Sequence, residues 1–156
     1  MESNISITNA SNVSVILITG NNITLIFCYQ NVGFVFEGIK RLIIKGLALI
    51  GCSNNKVKLV ENFLLIKVSF VGENKSETAL EIDKSKVCII DTSFMYNTVG
   101  SLRGPMRILQ GHNCKYQHAH IGGAIIASQS NVTIIRSDFV GNGAEIGGAM
   151  HTCNAW

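Results

Sequence analysis

The sequence predicts an all-β chain wound into a right-handed parallel β-helix, a solenoid of about five coils of 21–25 residues. Three observations predict it. Val, Ile, Leu, Phe and Thr dominate the 156 residues, which include 15 Gly but a single Pro, so strand formers prevail and almost no position lacks a backbone N–H. A strand pattern recurs: Ser85 to Phe94 aligns without a gap on Ser130 to Phe139, and Arg41 to Leu49 and Asn62 to Phe70 follow the same pattern. Gly122-Gly123-Ala124-Ile125 returns as Gly147-Gly148-Ala149-Met150, a period of 25 (147 − 122).

Each copy carries an alternating apolar strand and a large apolar residue seven positions after the first one. The strand positions are Leu42, Phe63, Val87 and Val132, and the later positions are Leu49, Phe70, Phe94 and Phe139. Successive spacings are 21 (70 − 49), 24 (94 − 70) and 45 (139 − 94). An upstream copy, Asn22 to Cys28, puts Leu25 before Leu49 at a further spacing of 24 (49 − 25). A second strand begins eight residues earlier in each repeat, at Phe34 before Leu42, Ala79 before Val87 and Ala124 before Val132. The spacing of 45 contains an insertion. Asn97 and Gly122 are separated by 25 (122 − 97) and the equivalent Asn142 and Gly147 by 5 (147 − 142). The excess of 20 (25 − 5) falls at about 98–120, around Pro105.

Short strands without helices cannot bury their apolar face alone. Coiling stacks each strand on its counterpart one turn later, about 4.8 Å away, and aligns like residues in columns. Leu25, Leu49, Phe70, Phe94 and Phe139 are expected to form one inward column, with Gly and Asn at the corners. A leucine-rich repeat shares this period, but its L-x-x-L-x-L…N/C-x-L pattern is approached only around Leu42, Leu47 and Leu49. The expectation is one domain over residues 1–156, open at both ends and therefore a fragment of a longer protein, and prone to aggregate in isolation.

Composition excludes several function classes. The net charge of +3 is small and scattered, and no basic run is interleaved with aromatics, so nucleic acid is not expected as a partner. No apolar run reaches a membrane span, so no direct membrane insertion is expected; Met1-Glu2-Ser3-Asn4 lacks the basic start of a signal peptide.

The segment Phe139-Val140-Gly141-Asn142-Gly143-Ala144-Glu145-Ile146-Gly147-Gly148-Ala149-Met150 resembles the polymorphic outer membrane protein repeat, F-x-x-N-x-A-x-x-G-G-A-[ILVM]. Phe94 to Asn97 and Gly122 to Ile125 resemble a second copy split by the insertion, whereas Phe70 is followed by Gly72 and Asn74 and departs from the motif. Upstream, the chain is similar to generic pectin-lyase-like β-helix repeats. The resemblance implies an adhesin-like extracellular passenger, associated with the outer membrane if bacterial; the expected role is a scaffold that recognises a glycan or protein, a ligand the motif itself does not specify.

Catalysis by such a fold needs clustered carboxylates. Glu81 and Asp83 are expected to point outward on one strand, Asp91 to stack on Arg136 and Asp138 on Ser93, so neighbouring coils supply no matching carboxylate. No enzyme activity and no cofactor is expected. A carbohydrate-active β-helix lyase or hydrolase and an inert structural spacer are the alternatives.

The insertion holds Arg103, Arg107, His112, Lys115, Tyr116, His118 and His120, a candidate partner-binding loop for an acidic ligand, with binding expected to strengthen below about pH 6.5. His112-x-Cys114-x₃-His118-x-His120 matches no zinc spacing, so no metal site is expected there. Cys28 and Cys52 occupy the same place in adjacent repeats, within disulfide reach, so a disulfide and an unbridged ladder both fit. Asn4, Asn9, Asn12, Asn22, Asn74 and Asn131 each begin an N-x-[S/T] sequon, sites of glycosylation in a eukaryotic secretory setting.

Overall fold

A computed structural model describes residues 5–7, 15–28, 33–52, 54–72, 78–98, 123–144 and 148–154. Every regular element among them is a strand, and every strand pairing is parallel: the chain is a β-solenoid, the expected fold class. One sheet stacks six strands in the order β1 (Ile5–Ile7), β3 (Phe34–Glu37), β5 (Asn55–Lys58), β7 (Leu80–Asp83), β10 (Ile125–Ser128) and β13 (Met150–Cys153). The other has seven strands on five rungs: β2 (Val15–Phe27), β4 (Arg41–Ile50), β6 (Asn62–Val71), then β8 (Lys86–Ile90) with β9 (Ser93–Met95), and β11 (Asn131–Ile135) with β12 (Asp138–Val140).

Single residues with positive φ turn the chain between straight segments. Gly38, Leu59, Lys84, Gln129 and Asn154 form one such column, at the exit of the six-stranded sheet. Gly46, Lys67, Asp91 and Arg136 form a second, which bends β4 and β6 and separates β8 from β9 and β11 from β12. Most are not glycine. A left-handed residue costs roughly 1–2 kcal/mol, but the corner places its side chain outside the coil, and the ladder bonds on both sides persist. The third corner is tighter. Gly51 and Gly141 have positive φ, and a Cβ on Gly72 would collide with the Tyr96 carbonyl of the next rung.

The inward columns are continuous. Leu42, Phe63 and Val87 stack on Val132, and Leu49, Phe70 and Phe94 on Phe139. The rings of Phe70 and Phe94 lie parallel with centroids 4.8 Å apart, and those of Phe94 and Phe139 5.1 Å apart. Phe94 is fully buried. The column differs from expectation at its first member. Leu25 pairs with Ala48 and points outward, 55% exposed, and Ile26 stands opposite Leu49 instead. The cause is a bulge: between paired positions, Gly20 to Ile23 of β2 face the single residue Gly46, which shifts the register of Thr24 to Phe27.

Two further columns change chemistry along the solenoid. Beside the first corner, Ile39 and Val60 give way to Ser85 and Ser130; beside the second, Leu47 and Val68 give way to Thr92 and Ser137. Each hydroxyl donates to the carbonyl two residues earlier, and those of Ser85, Ser130 and Ser137 also accept a backbone N–H from the previous rung. Backbone groups that a corner orphans are satisfied this way.

The sequence offset between strand partners is 24 from Phe63 to Val87 (87 − 63), 45 from Val87 to Val132 (132 − 87) and 25 from Ile125 to Met150 (150 − 125). The excess of 20 (45 − 25) thus falls between Thr98, which bridges Gly143, and Gly123.

Candidate interaction face

The residues proposed as the partner-binding loop, Arg103, Arg107, His112, Lys115, Tyr116, His118 and His120, lie outside the described residues, as do Asn4, Asn9, Asn12 and Asn74. Asn22 and Asn131 are exposed, the first on the β2 bulge and the second at the start of β11. Cys28 and Cys52 form a disulfide that ties β2 to the corner after β4. Cys153 is also disulfide-bonded, and Cys88 is the free thiol among the described residues.

The two sheets present different outer surfaces. Charge alternates across neighbouring rungs of the six-stranded sheet at Glu37, Lys58 and Asp83 and at Lys56 and Glu81. Lys58 contacts Glu37 at 3.0 Å, and Lys56 approaches Glu81 at 3.8 Å. Burial, and then the nearby Asp83, hold the Glu81 carboxyl above its ordinary range, which outweighs the long Lys56 contact. Asp91 is bound by two Arg136 nitrogens at 2.7 and 3.1 Å across the second corner, and this bond first, then the Arg136 and Lys67 charges, lower its pKa. Asp138 pairs with Ser93, as expected. Among the described residues no group of three or more His, Cys, Asp and Glu is placed to hold a metal ion.

The outer side of the seven-stranded sheet is apolar. Before the bend, Leu17, Ile43, Leu64, Cys88 and Thr133 form one outward column, and Ile66, Ile90 and Ile135 continue another that begins with Thr19 and Lys45. After the bend, Phe27, Ile50, Val71, Met95 and Val140 form a third, the two end members 57% and 49% exposed. Small residues, Ala48, Ser69 and Ser93, run beside it, and half-exposed Tyr96 stands on the adjoining corner against Gly141. Lys45 stands within the second column, Arg41 and Lys86 flank the first and Lys67 sits at the bend, all four exposed. Among the described residues none of the four pairs with a carboxylate at ion-pair distance. With Arg136 against Asp91 and Asp138, the strand and bend positions carry +3 (5 − 2).

Sequence reasoning missed this face, although its signal is present. A half-solvated strand alternates apolar and polar residues, whereas Leu42-Ile43-Ile44 and Phe63-Leu64-Leu65-Ile66 are unbroken apolar runs, the mark of a sheet covered on both sides. No protein-family model, curated protein or solved structure matches the chain.

Proposed function

We propose that this chain is a non-catalytic, extracellular or surface-displayed β-solenoid scaffold, adhesin-like, whose seven-stranded sheet binds a partner through its outer face. The carrying observation is the set of in-register apolar columns on that face, partly exposed at the centre and exposed at the end rungs, since contiguous apolar surface of this kind marks an interaction site. The Cys28–Cys52 disulfide supports an oxidising compartment, and the exposed Asn22 and Asn131 sequons are compatible with a secretory route. The F-x-x-N resemblance favours display at a cell surface. Against a carbohydrate-active enzyme stands the pairing of several outward carboxylates: Glu37 and Asp91 are held by cations, and Asp138 faces Ser93, while the Glu81–Asp83 neighbours on β7 are the acidic pair that the test addresses.

A screen of immobilised glycans and surface proteins tests the reading. The wild type should retain a ligand that Leu64→Ser/Ile66→Ser loses and that Lys58→Glu, on the opposite sheet, keeps. Loss with Lys58→Glu alone would move the site to the six-stranded sheet. Turnover of a glycan, abolished by Glu81→Gln, would replace the reading with an enzyme.

A further inference from the structure

The chemistry of the face narrows the partner, and the inference rests on the binding reading above. We propose that the half of the face before the bend docks on the surface of an anionic phospholipid bilayer, with Leu17, Ile43, Leu64 and Ile66 in the interfacial layer and Arg41, Lys45, Lys67 and Lys86 on the headgroups. Three observations favour lipid over other occupants.

The first is charge. Four cations without ion-pair partners among the described residues stand within and beside the aliphatic columns, and the acidic groups of the face are the Arg136-bound Asp91 and the more distant Asp138. Anionic leaflets attract such clusters. A second copy stacked face to face would set these cations against their own counterparts without carboxylates to match.

The second is side-chain type. The columns before the bend are mainly Leu and Ile, branched aliphatics that suit acyl chains, with Cys88, Thr19 and Thr133 among them and Lys45 in register with Ile66. Aromatic rings, the usual platform for sugar, are absent from them; Phe27 and Tyr96 lie beyond the bend.

The third is geometry. Parallel register places all these side chains on one side of one sheet, over five rungs about 4.8 Å apart, a patch roughly 20 Å tall. Docking there needs no spanning segment, only a flat basic and aliphatic surface, as in membrane-bound amphipathic elements.

The test is co-sedimentation of the intact chain with vesicles of two parts phosphatidylcholine to one part phosphatidylglycerol, and with phosphatidylcholine alone, at about 0.1 M and about 1 M salt, where the screening lengths are roughly 10 and 3 Å. Binding should require phosphatidylglycerol and weaken at high salt. Lys45→Glu/Lys67→Glu should lower partitioning by at least about tenfold. Leu64→Ser/Ile66→Ser should also lower it, whereas Lys58→Glu should leave it within about twofold. Melting curves establish that each variant is folded, and an environment-sensitive dye on Cys88, with Cys88→Ser as blank, should shift to the blue on anionic vesicles. Absence of binding, equal binding to neutral vesicles, or an equal loss with Lys58→Glu would overturn the proposal, as would a concentration-dependent dimer that Leu64→Ser/Ile66→Ser abolishes. If vesicles fail but a screened glycan or protein is lost on Leu64→Ser/Ile66→Ser, the lipid assignment falls and the binding scaffold stands. If those substitutions alter no interaction at all, both fall.

Discussion

The side-chain carbonyl of Asn142 accepts two hydrogen bonds from Asn97, from its backbone N–H and from its amide nitrogen, both at 3.0 Å. Each asparagine also donates to a phenylalanine carbonyl one rung back, Asn97 to Phe70 at 3.2 Å and Asn142 to Phe94 at 2.8 Å. The F-x-x-N spacing thus has a mechanical meaning. Phe fills the column, the chain turns at the third corner, and Asn supplies the donors and acceptors that the turning backbone leaves unpaired. Asn97→Ala should cost about 1–3 kcal/mol in denaturant unfolding, because it strands buried polar groups.

Phe94 lies between two parallel rings and has no solvent contact. Phe94→Ala should destabilise by about 3–5 kcal/mol, since a cavity in a stacked column has little freedom to collapse. A loss under about 1 kcal/mol in the same unfolding measurement would contradict the register.

Much of this is legible in the sequence, for definable reasons. Ser85–Phe94 and Ser130–Phe139 align without a gap, and the structure pairs them position by position with the expected offset of 45 (130 − 85). Cys28 and Cys52 do bond, although the offset of 24 that aligned them is one residue off: Phe27 pairs with Ile50, so Cys28 stands opposite Gly51, next to Cys52. Leu25 is misplaced by spacing alone because a fixed spacing cannot detect a bulge: Gly20 to Ile23 against Gly46 moves the following residues while leaving the strand pattern intact. The outer face escapes the same reading because Leu64 and Ile66 pass for part of an alternating core strand, whereas both faces of β6 are apolar and only the inner one is core.

Cys28–Cys52 closes a sequence separation of 24 at the first rung of the seven-stranded sheet. Its removal by Cys28→Ser/Cys52→Ser should cost about 3 kcal/mol by the loop-entropy relation. The loss should begin at β2, so its amides should exchange faster while those of β6 and β8 keep their protection. Uniform loss of protection would show that the coils melt as one unit.

Glu81 sets the pH dependence of the six-stranded sheet. Its folded pKa is raised, so ionisation penalises the folded state fully above the folded pKa, and the penalty disappears as pH falls below the unfolded value. Glu81→Gln should therefore raise the melting temperature at neutral pH and lose this advantage below about pH 4, the ordinary carboxyl range. Asp91 acts in the opposite direction: its lowered pKa contributes stability above the ordinary carboxyl range, lost as acid protonates it.

The central claim is that the outer side of the seven-stranded sheet is open to a partner and does not serve as a second core. Neighbours on β6 test it most directly: Leu65 points in and is fully buried, and Leu64 points out and is partly exposed. Chemical denaturation of Leu65→Ala and Leu64→Ser should give losses of about 2–5 kcal/mol and no more than about 1 kcal/mol, respectively. Equal and large losses would mean that the protein itself covers this face, and that it is not a binding surface.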